Sequence, residues 1–387
     1  MAKARPGKAF ERLVQIMELL AATGARVEYD ARIRDRTTGK IKLPSNAAPP
    51  CLAARPDVAG GATYQGVTAD TIKIVAYEPA DDDLSASLQS TLDPPEVQRE
   101  TRQKLLEMYE HIYSMWGRKL VIVPFKGTGS SQTASRADAV KVATEIKAFA
   151  SIGGPGQESA YAEELASRGV LCIGCGLSVP DTTFQKNAPF MWGNLQTPEQ
   201  YLLNVGDYVV GRLLNRNATF AGDPKMHEKK RVFGVVHFEQ DPPVFGGTEE
   251  LVAKRGAKFG YKAAANLTYQ LVIPELGEKA RTLVARLKDA GVTTVIFLGD
   301  PIMPIYLTQA ATDQNYFPEW FITGTVLTDT TVFGRQYDQK QWAHAFGLSS
   351  LPTRVPPDQG EAWRLHKWYY GTDPASKKLI AVLNEPL

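Results

Sequence analysis

Cys172-Ile173-Gly174-Cys175 has the spacing of a dithiol pair, and the chemistry such a pair supports is disulfide exchange by a thiolate of lowered pKa. A reactive pair of this kind opens a helix, whose amide dipoles favour the thiolate. Here Gly176-Leu177-Ser178-Val179-Pro180 follows and reads as loop, so the spacing predicts two small residues at a buried strand end. With Cys51 the cysteines number three, which cannot all pair within one chain and do not fix the compartment. The five histidines, His111, His227, His237, His344 and His366, are scattered with no pair at metal-ligand spacing, so no metal site is expected. Gly127-Thr128-Gly129-Ser130-Ser131 has the glycines of a phosphate loop but lacks the Lys-Ser/Thr that grips phosphate. No dinucleotide glycine pattern and no Gly-x-Ser-x-Gly nucleophile elbow occurs, and Ser130-Ser131 has no base close in sequence. One acid–base cluster remains, His237 with Glu239 and Asp241 at a single strand end, where such polarity also suits an ordinary ligand cleft. No catalytic residue and no cofactor follow from these motifs.

The bulk properties narrow the partners. Lys and Arg number 44 against 42 acidic residues, a formal net charge of +2, which argues against nucleic acid and anionic lipid surfaces. No run approaches the ~18 apolar residues of a membrane-spanning helix. Lys3, Arg5 and Lys8 precede the apolar stretch Leu13–Ala22, but Gln15 and Glu18 interrupt it and no small-residue cleavage site follows, so it is a poor signal peptide. At 387 residues the chain has room for two or three compact units.

These residues must be positioned by the periodic segments. Gly7–Leu20 predicts an amphipathic helix and Arg26–Ile33 a short strand, after which Thr37–Thr63, with Pro44, Pro49, Pro50 and Pro56, reads as a linker or extended arm. Strands are predicted at Thr71–Tyr77, Leu120–Phe125, Ala148–Ile152 and Gly169–Ile173, with helices at Pro95–Trp116, Ser135–Ile146 and Ser159–Ser167. The same grammar returns after Trp192. Helices Glu199–Leu214, Thr248–Phe259, Gly277–Ala290 and Pro304–Gln314 alternate with strands Arg231–His237, Tyr261–Leu267, Thr293–Leu298 and Trp320–Thr323. Such alternation requires crossover helices, hence mostly parallel sheets covered on both faces. The fold class is therefore α/β, two Rossmann-like lobes of comparable size joined near Gly193 and Gly324, with an expected cleft between them. Trp363, Trp368, Tyr369 and Tyr370 sit at helical spacing with Leu365 and suit a core or interface better than a base-stacking platform.

From about Gly66 onward the chain resembles the type I periplasmic solute-binding proteins, in the branch of branched-chain amino-acid receptors of ABC transporters, and particularly long actinobacterial forms. The resemblance rests on four segments taken in order. They are Gly66-Val67-Thr68-Ala69-Asp70-Thr71-Ile72-Lys73-Ile74, Ala139-Val140-Lys141-Val142-Ala143, Glu164-Leu165-Ala166-Ser167-Arg168-Gly169-Val170 and Phe317-Pro318-Glu319-Trp320. It implies residues 1–40 as a segment of separate origin, 41–65 as linker, 66–193 as lobe one, 194–324 as lobe two, and 325–387 as the crossing back with an incomplete C-terminal part. That family runs on past Leu387, so part of lobe one is expected to be missing and its sheet to have an uncovered edge. Residues 1 to about 40, with Gly7-Lys8-Ala9-Phe10-Glu11-Arg12-Leu13-Val14 and Asp35-Arg36-Thr37-Thr38-Gly39, resemble the opening of a restriction-endonuclease-like domain. The acidic and Lys residues of that site do not follow, and no nuclease activity is implied.

Ligands of open α/β sheets bind beyond the carboxyl ends of the strands, where backbone N–H groups and helix N-termini converge. In lobe one this selects Gly154, Pro155, Gly156 and Gln157, and Gly176, Leu177 and Ser178, whose hydroxyls and amides hold a ligand carboxylate in the resembled family. Lobe two offers Phe245, Asp300, Pro301, Thr325 and Asp329. Each has a plainer reading: the glycines as turns, Ser178 and Asp300 as helix caps, Phe245 as core. Relatives that hold an amino acid pair its ammonium with an acidic side chain at the crossing, where this chain has Val326, leaving Asp329 as the substitute. The resemblance implies a non-enzymatic, monomeric and extracytoplasmic protein that captures a small polar, amino-acid-like solute for an ABC permease. A ligand-sensing receptor or regulator of the same fold is the alternative, and an enzyme on this scaffold the third reading.

Overall fold

A computed structural model of the chain describes residues 37–45, 48, 50, 60–83, 86, 94–112, 116–156, 158–176, 179–194, 196–239, 248–349 and 355–374. The helix expected over 7–20, the strand over 26–33 and the nuclease-like opening up to Arg36 lie outside these residues. Two compact units form: unit 1 from Met1–Gly176, Pro189–Asn194 and Leu351–Leu387, and unit 2 from Leu177–Ala188 and Leu195–Ser350.

Unit 1 is built on the parallel sheet β2-β1-β3-β4-β5, with β1 at Thr71–Glu78, β2 at Lys119–Lys126, β3 at Ala150–Ile152, β4 at Leu171–Ile173 and β5 at Met191–Trp192. Between these strands run α1 (Pro95–Ile112), α2 (Gln132–Lys141, prolonged by a π turn over Val142–Ile146) and α3 (Ala160–Ser167). Short apolar strands joined by helices can pair only in parallel, because a crossover returns the chain to the same end of the sheet. One face of this sheet is well covered: Val75 and Cys172 are 0% exposed, as are Ala139, Val142 and Leu165 on the helices. The other is open along one register row. Ala76 pairs with Ile152, Ile152 with Ile173 and Ile173 with Trp192, and the last three are 48%, 41% and 58% exposed.

Within the stretch read as linker, Leu43 packs against the cluster of Met108, Leu365, Tyr369 and Tyr370, and Ser45 hydrogen-bonds the Glu361 carboxylate. The Arg118 guanidinium donates to Gly61 O at 2.6 Å and to Thr68 O at 2.9 Å, closing the arm onto the start of β1. The aromatic residues of the C-terminal part form the inner face of a helix, Glu361–Tyr370, as their spacing suggested, and Trp363, Tyr369 and Tyr370 are buried.

Unit 2 contains the parallel sheet β10-β9-β8-β6-β7, with β6 at Phe233–Phe238, β7 at Ala265–Tyr269, β8 at Thr294–Leu298, β9 at Glu319–Ile322 and β10 at Ala345–Gly347. A short helix, α4 (Asp181–Lys186), also belongs to this unit. Helices α5 (Pro198–Tyr208, prolonged by a π turn over Val209–Leu213) and α6 (Thr248–Gly256) supply Leu202, Val205, Val209 and Val252 to one face. Helices α7 (Leu276–Asp289) and α8 (Met303–Asp313) supply Leu283, Val284, Leu287 and Leu307 to the other. The strands β8 and β9 are buried at every position, as the apolar runs Val295–Leu298 and Trp320–Ile322 require, and they bury Thr294 and Glu319 as well. Residues 325–349, grouped by sequence with the crossing back, belong to unit 2, and β10 among them extends its sheet beside β9.

Candidate functional site

At the carboxyl ends of β3 and β4 the backbone turns through Gly153 (φ +77°), Gly174 (φ +67°) and Gly176 (φ +89°), a region where only glycine is unstrained. Gly154 is closely packed: a Cβ there would lie 3.1 Å from Tyr161 Cδ1 and 3.3 Å from Cys175 Cβ, so both would have to give by a few tenths of an ångström. Pro155 and Gly156 are buried, and the Gly156 amide donates to Asp83 Oδ2 at 3.1 Å. Cys172 and Cys175 are disulfide-bonded with their Cα atoms 5.8 Å apart, and both are buried. The pair sits at a buried strand end, as the loop after it suggested, but as a disulfide that ties β4 to the turn that follows, not as two separate small residues. Gln157, Leu177, Ser178, Phe245 and Asp241 lie outside the described residues.

The glycine-rich loop after β2 has its donors occupied. Thr128 N and Oγ1 donate to Asp138 at 2.8 Å each, and Ser130 N and Oγ donate to Asp82 Oδ2 at 3.1 and 3.0 Å. Those Ser130 bonds hold the Asp82 carboxyl below its ordinary range. Two carboxylates fill the positions that a phosphate would need. Burial pushes the nearby Tyr77 hydroxyl far up, with Asp138 and Asp83 adding to it.

In unit 2 the expected residues divide. Asp300 is 3% exposed; its Oδ1 accepts from Ile302 N at 2.7 Å and Met303 N at 3.0 Å, and its other oxygen accepts from the Tyr269 hydroxyl. It ties the loop to the start of α8 from two residues before the N-cap Ile302, and burial raises its pKa above the ordinary carboxylate range despite these bonds. Pro301 O accepts from Tyr337 at 2.8 Å, and Thr325 Oγ1 bonds both the N–H and the carbonyl of Gly299, at 3.1 and 3.0 Å. These three hold the strand ends together.

Asp329 is placed differently. It closes a turn in which Gly324 (φ +74°), Val326 (φ +45°) and Leu327 (φ +64°) are all left-handed. For a β-branched residue such as Val326 that conformation is an outlier, and each such residue costs about 1–3 kcal/mol. Asp329 Oδ2 accepts from Ser349, whereas its Oδ1 is buried without a hydrogen-bond partner among the described residues, as is Thr328 Oγ1. Ser135, Glu158 and Arg255 also bury one unpaired side-chain atom each; those of Thr328 and Asp329 differ in lying at a strained turn. Sequence reading reached Asp329 but not Thr328 or the left-handed pair; Gly324 was the only local signal. Tyr269 and Tyr337, which orient Asp300 and Pro301, are remote in sequence and carry no motif.

Of the acid–base trio, His237 is 6% exposed with its Nδ1 3.4 Å from Phe238 O, and burial lowers its pKa while the Phe238 carbonyl and the Glu239 charge pull the other way. His227, His344 and His366 each bond a backbone carbonyl, of Ala221, Phe220 and Thr372. Among the described residues no cluster of His, Cys, Asp and Glu could hold a metal, and no helix is long and apolar enough to cross a membrane.

Two wholly parallel five-stranded sheets with strand-end turns of this kind define the type I periplasmic-binding-protein fold, and the solved structures most like the chain have it. A periplasmic binding protein type 1 from Bordetella pertussis matches at TM-score 0.54 and 15% identity, over 82% of this chain and 80% of that one. A branched-chain amino-acid transporter substrate-binding protein from Streptococcus pneumoniae, in complex with isoleucine, matches at TM-score 0.53 and 12% identity over 81% of each chain. A fatty-acid ABC transporter substrate-binding protein from Thermomonospora curvata matches at 0.52 and 15%, over 78% of this chain and 68% of that one. In eight such matches the chain spans between 63% and 81% of the neighbour's length. At these identities the likeness is one of fold. No family model and no curated protein matches the sequence.

Proposed function

We propose that the chain is a solute-binding protein that captures a small polar ligand through the turns at the carboxyl ends of its strands and presents it to an ABC-type permease outside the cytoplasm. The observation that carries this reading is the turn Gly324–Asp329, whose backbone strain and unpaired buried oxygens make sense if a ligand completes them. Asp329 Oδ1 is an acceptor, so the ligand brings a donor, and an ammonium or amide is the chemistry that fits. Gly154, Pro155, Gly156 and Gly176 lie at the carboxyl ends of β3 and β4 in unit 1, where backbone amides suit a carboxylate. Asp300, Pro301 and Thr325 hold the frame. The neighbours' ligands, isoleucine in one and a fatty acid in another's name, differ enough that the fold leaves the ligand open.

The test is a thermal-shift titration with amino acids, amides, short peptides and small acids, repeated on Asp329→Asn. A binder gains stability with ligand concentration by mass action. The expected result is a saturating shift with an amine- or amide-bearing class that shrinks in the variant; no shift with any class would overturn the reading.

A further inference from the structure

A net charge of +2 argues against a broad field but not against a local one, and the charge of unit 2 is unevenly placed. At the amino ends of its strands, the chain leaves the π turn Val209–Leu213 and returns to β6 along a short antiparallel ribbon. Arg231 N donates to Arg216 O at 3.0 Å, Ala218 N donates to Lys229 O at 2.9 Å, and Asn217 is bridged to Lys230. The Asn215 side chain donates to Phe259 O at 3.2 Å, which sets the ribbon beside the turn Ala257–Phe259 that follows α6.

These two neighbouring segments carry Arg216, Lys229, Lys230, Lys258 and Lys262, all exposed, and none of them takes part in an ion pair among the described residues. Arg255, on the same stretch of chain as Lys258, shows the contrast, since it pairs with Asp207. Against this positive charge the ribbon sets the exposed Glu228. Two aromatic rings stand among the cations: Phe220 is 54% and Phe259 47% exposed. Both are held where they are. Phe220 N donates to Glu319 Oε1 at 2.9 Å and its ring lies 4.8 Å from that of Phe346, while Lys258 Nζ sits 4.9 Å from the Phe259 ring centroid.

Rings held half in water beside unpaired ammonium groups suit a surface that is anionic at its face and apolar just beneath. All but Arg216 of the cations are lysines, which neutralise phosphate as point charges, whereas reading of nucleic acid draws on the arginine fork. That composition favours lipid over nucleic acid. The Asp329 turn lies beyond the opposite ends of the strands, so contact at this face leaves it open.

We propose that this basic, aromatic face at the amino ends of the unit 2 strands docks on an anionic lipid bilayer, with the lysines on headgroup phosphates and Phe220 and Phe259 at the boundary between headgroups and acyl chains. It stands apart from ligand capture, and neither reading depends on the other.

Cosedimentation of the full chain with vesicles tests it, using phosphatidylcholine alone and phosphatidylcholine with about one-third phosphatidylglycerol. The chain is expected to pellet with the anionic vesicles only. Most of it should be released when salt is raised from about 0.1 to about 1 M, where the Debye length falls from about 10 to about 3 Å. Lys229→Gln with Lys230→Gln should weaken the partition about tenfold or more, since each charge near the surface contributes about fivefold. Phe259→Ser should weaken it several-fold, and Lys141→Gln on α2 of unit 1 should leave it unchanged. Circular dichroism and the melting temperature show whether each variant folds; should Phe259→Ser not fold, the exposed lysine pair decides alone. No pelleting with anionic vesicles, pelleting insensitive to the lysine pair, or tighter binding to duplex DNA than to vesicles at equal phosphate would overturn the proposal.

Discussion

Strand β9 opens on one acidic side chain and is followed, after its carboxyl end, by another, and unit 2 treats the two in opposite ways. Glu319 is fully buried and fully served. It receives Arg231 Nε at 2.7 Å and Nη2 at 2.9 Å, Thr294 Oγ1 at 2.6 Å and the Phe220 amide at 2.9 Å. Asp329 receives one hydroxyl, leaves an oxygen buried and unpaired, and closes a turn of left-handed residues. A carboxylate saturated by its own chain has nothing left for a ligand, and one left half-served keeps an acceptor to offer. Under the proposed function, the acidic group at the amino end of this strand serves stability and the one beyond its carboxyl end serves binding.

The largest expected effect breaks the first half of that comparison. Arg231→Met leaves Glu319 buried without its cation, and removing one partner of a buried pair costs about 3–5 kcal/mol. Urea unfolding should show the midpoint falling with the slope unchanged. A loss under 1 kcal/mol would mean that water reaches the pair. Asp329→Asn should behave in the reverse sense, with stability held to within about 1 kcal/mol and affinity for an amine-bearing ligand reduced about tenfold or more. Equal destabilisation in the two variants would erase the distinction between the ends. Val326→Gly sharpens it further. Relief of the left-handed valine is expected to stabilise unit 2 by roughly 1 kcal/mol in spite of glycine's greater freedom when unfolded, at the expense of ligand affinity.

The same contrast explains what the sequence discloses. Strands such as Thr294–Leu298 and helices such as Leu276–Asp289 follow from periodicity within a residue or two, because burial on both faces or one stripe is a local pattern. The two-residue β5 and three-residue β10 are too short to have a period, and they exist only through pairing with β4 and β9. Thr71–Glu78 was legible as a strand, but the exposure of Ile152, Ile173 and Trp192 was not, since it depends on what packs against the sheet. At the site, Gly153 and Gly174 announce turns by residue type alone, and Asp329 was found through family likeness. That its Oδ1 would be unpaired and that Asp300 would be consumed by Tyr269 and the start of α8 are both products of contacts that the sequence pattern does not carry.

The smallest effect concerns acid. At the carboxyl ends of β6 and β8, burial disfavours the charged form of two groups, lowering His237 from 6.5 and raising Asp300 from 3.8. For His237 the folded pKa lies below the unfolded one, so the unfolded chain binds the extra proton, and stability present above about 6.5 is lost as pH falls through the window beneath it. Asp300 has the opposite sign. Its folded pKa lies above the unfolded one, so its penalty is absent below about 3.8 and grows as pH rises toward the folded value. Below neutral pH the two contributions oppose one another, and the difference in urea unfolding between the chain and His237→Gln should isolate the decline due to His237. That variant removes part of the histidine contribution but not all of it, because burial also lowers His366 in unit 1. A profile unchanged by His237→Gln would mean that the imidazole charges within the fold, and that the carboxyl end of β6 is wetter than its packing implies.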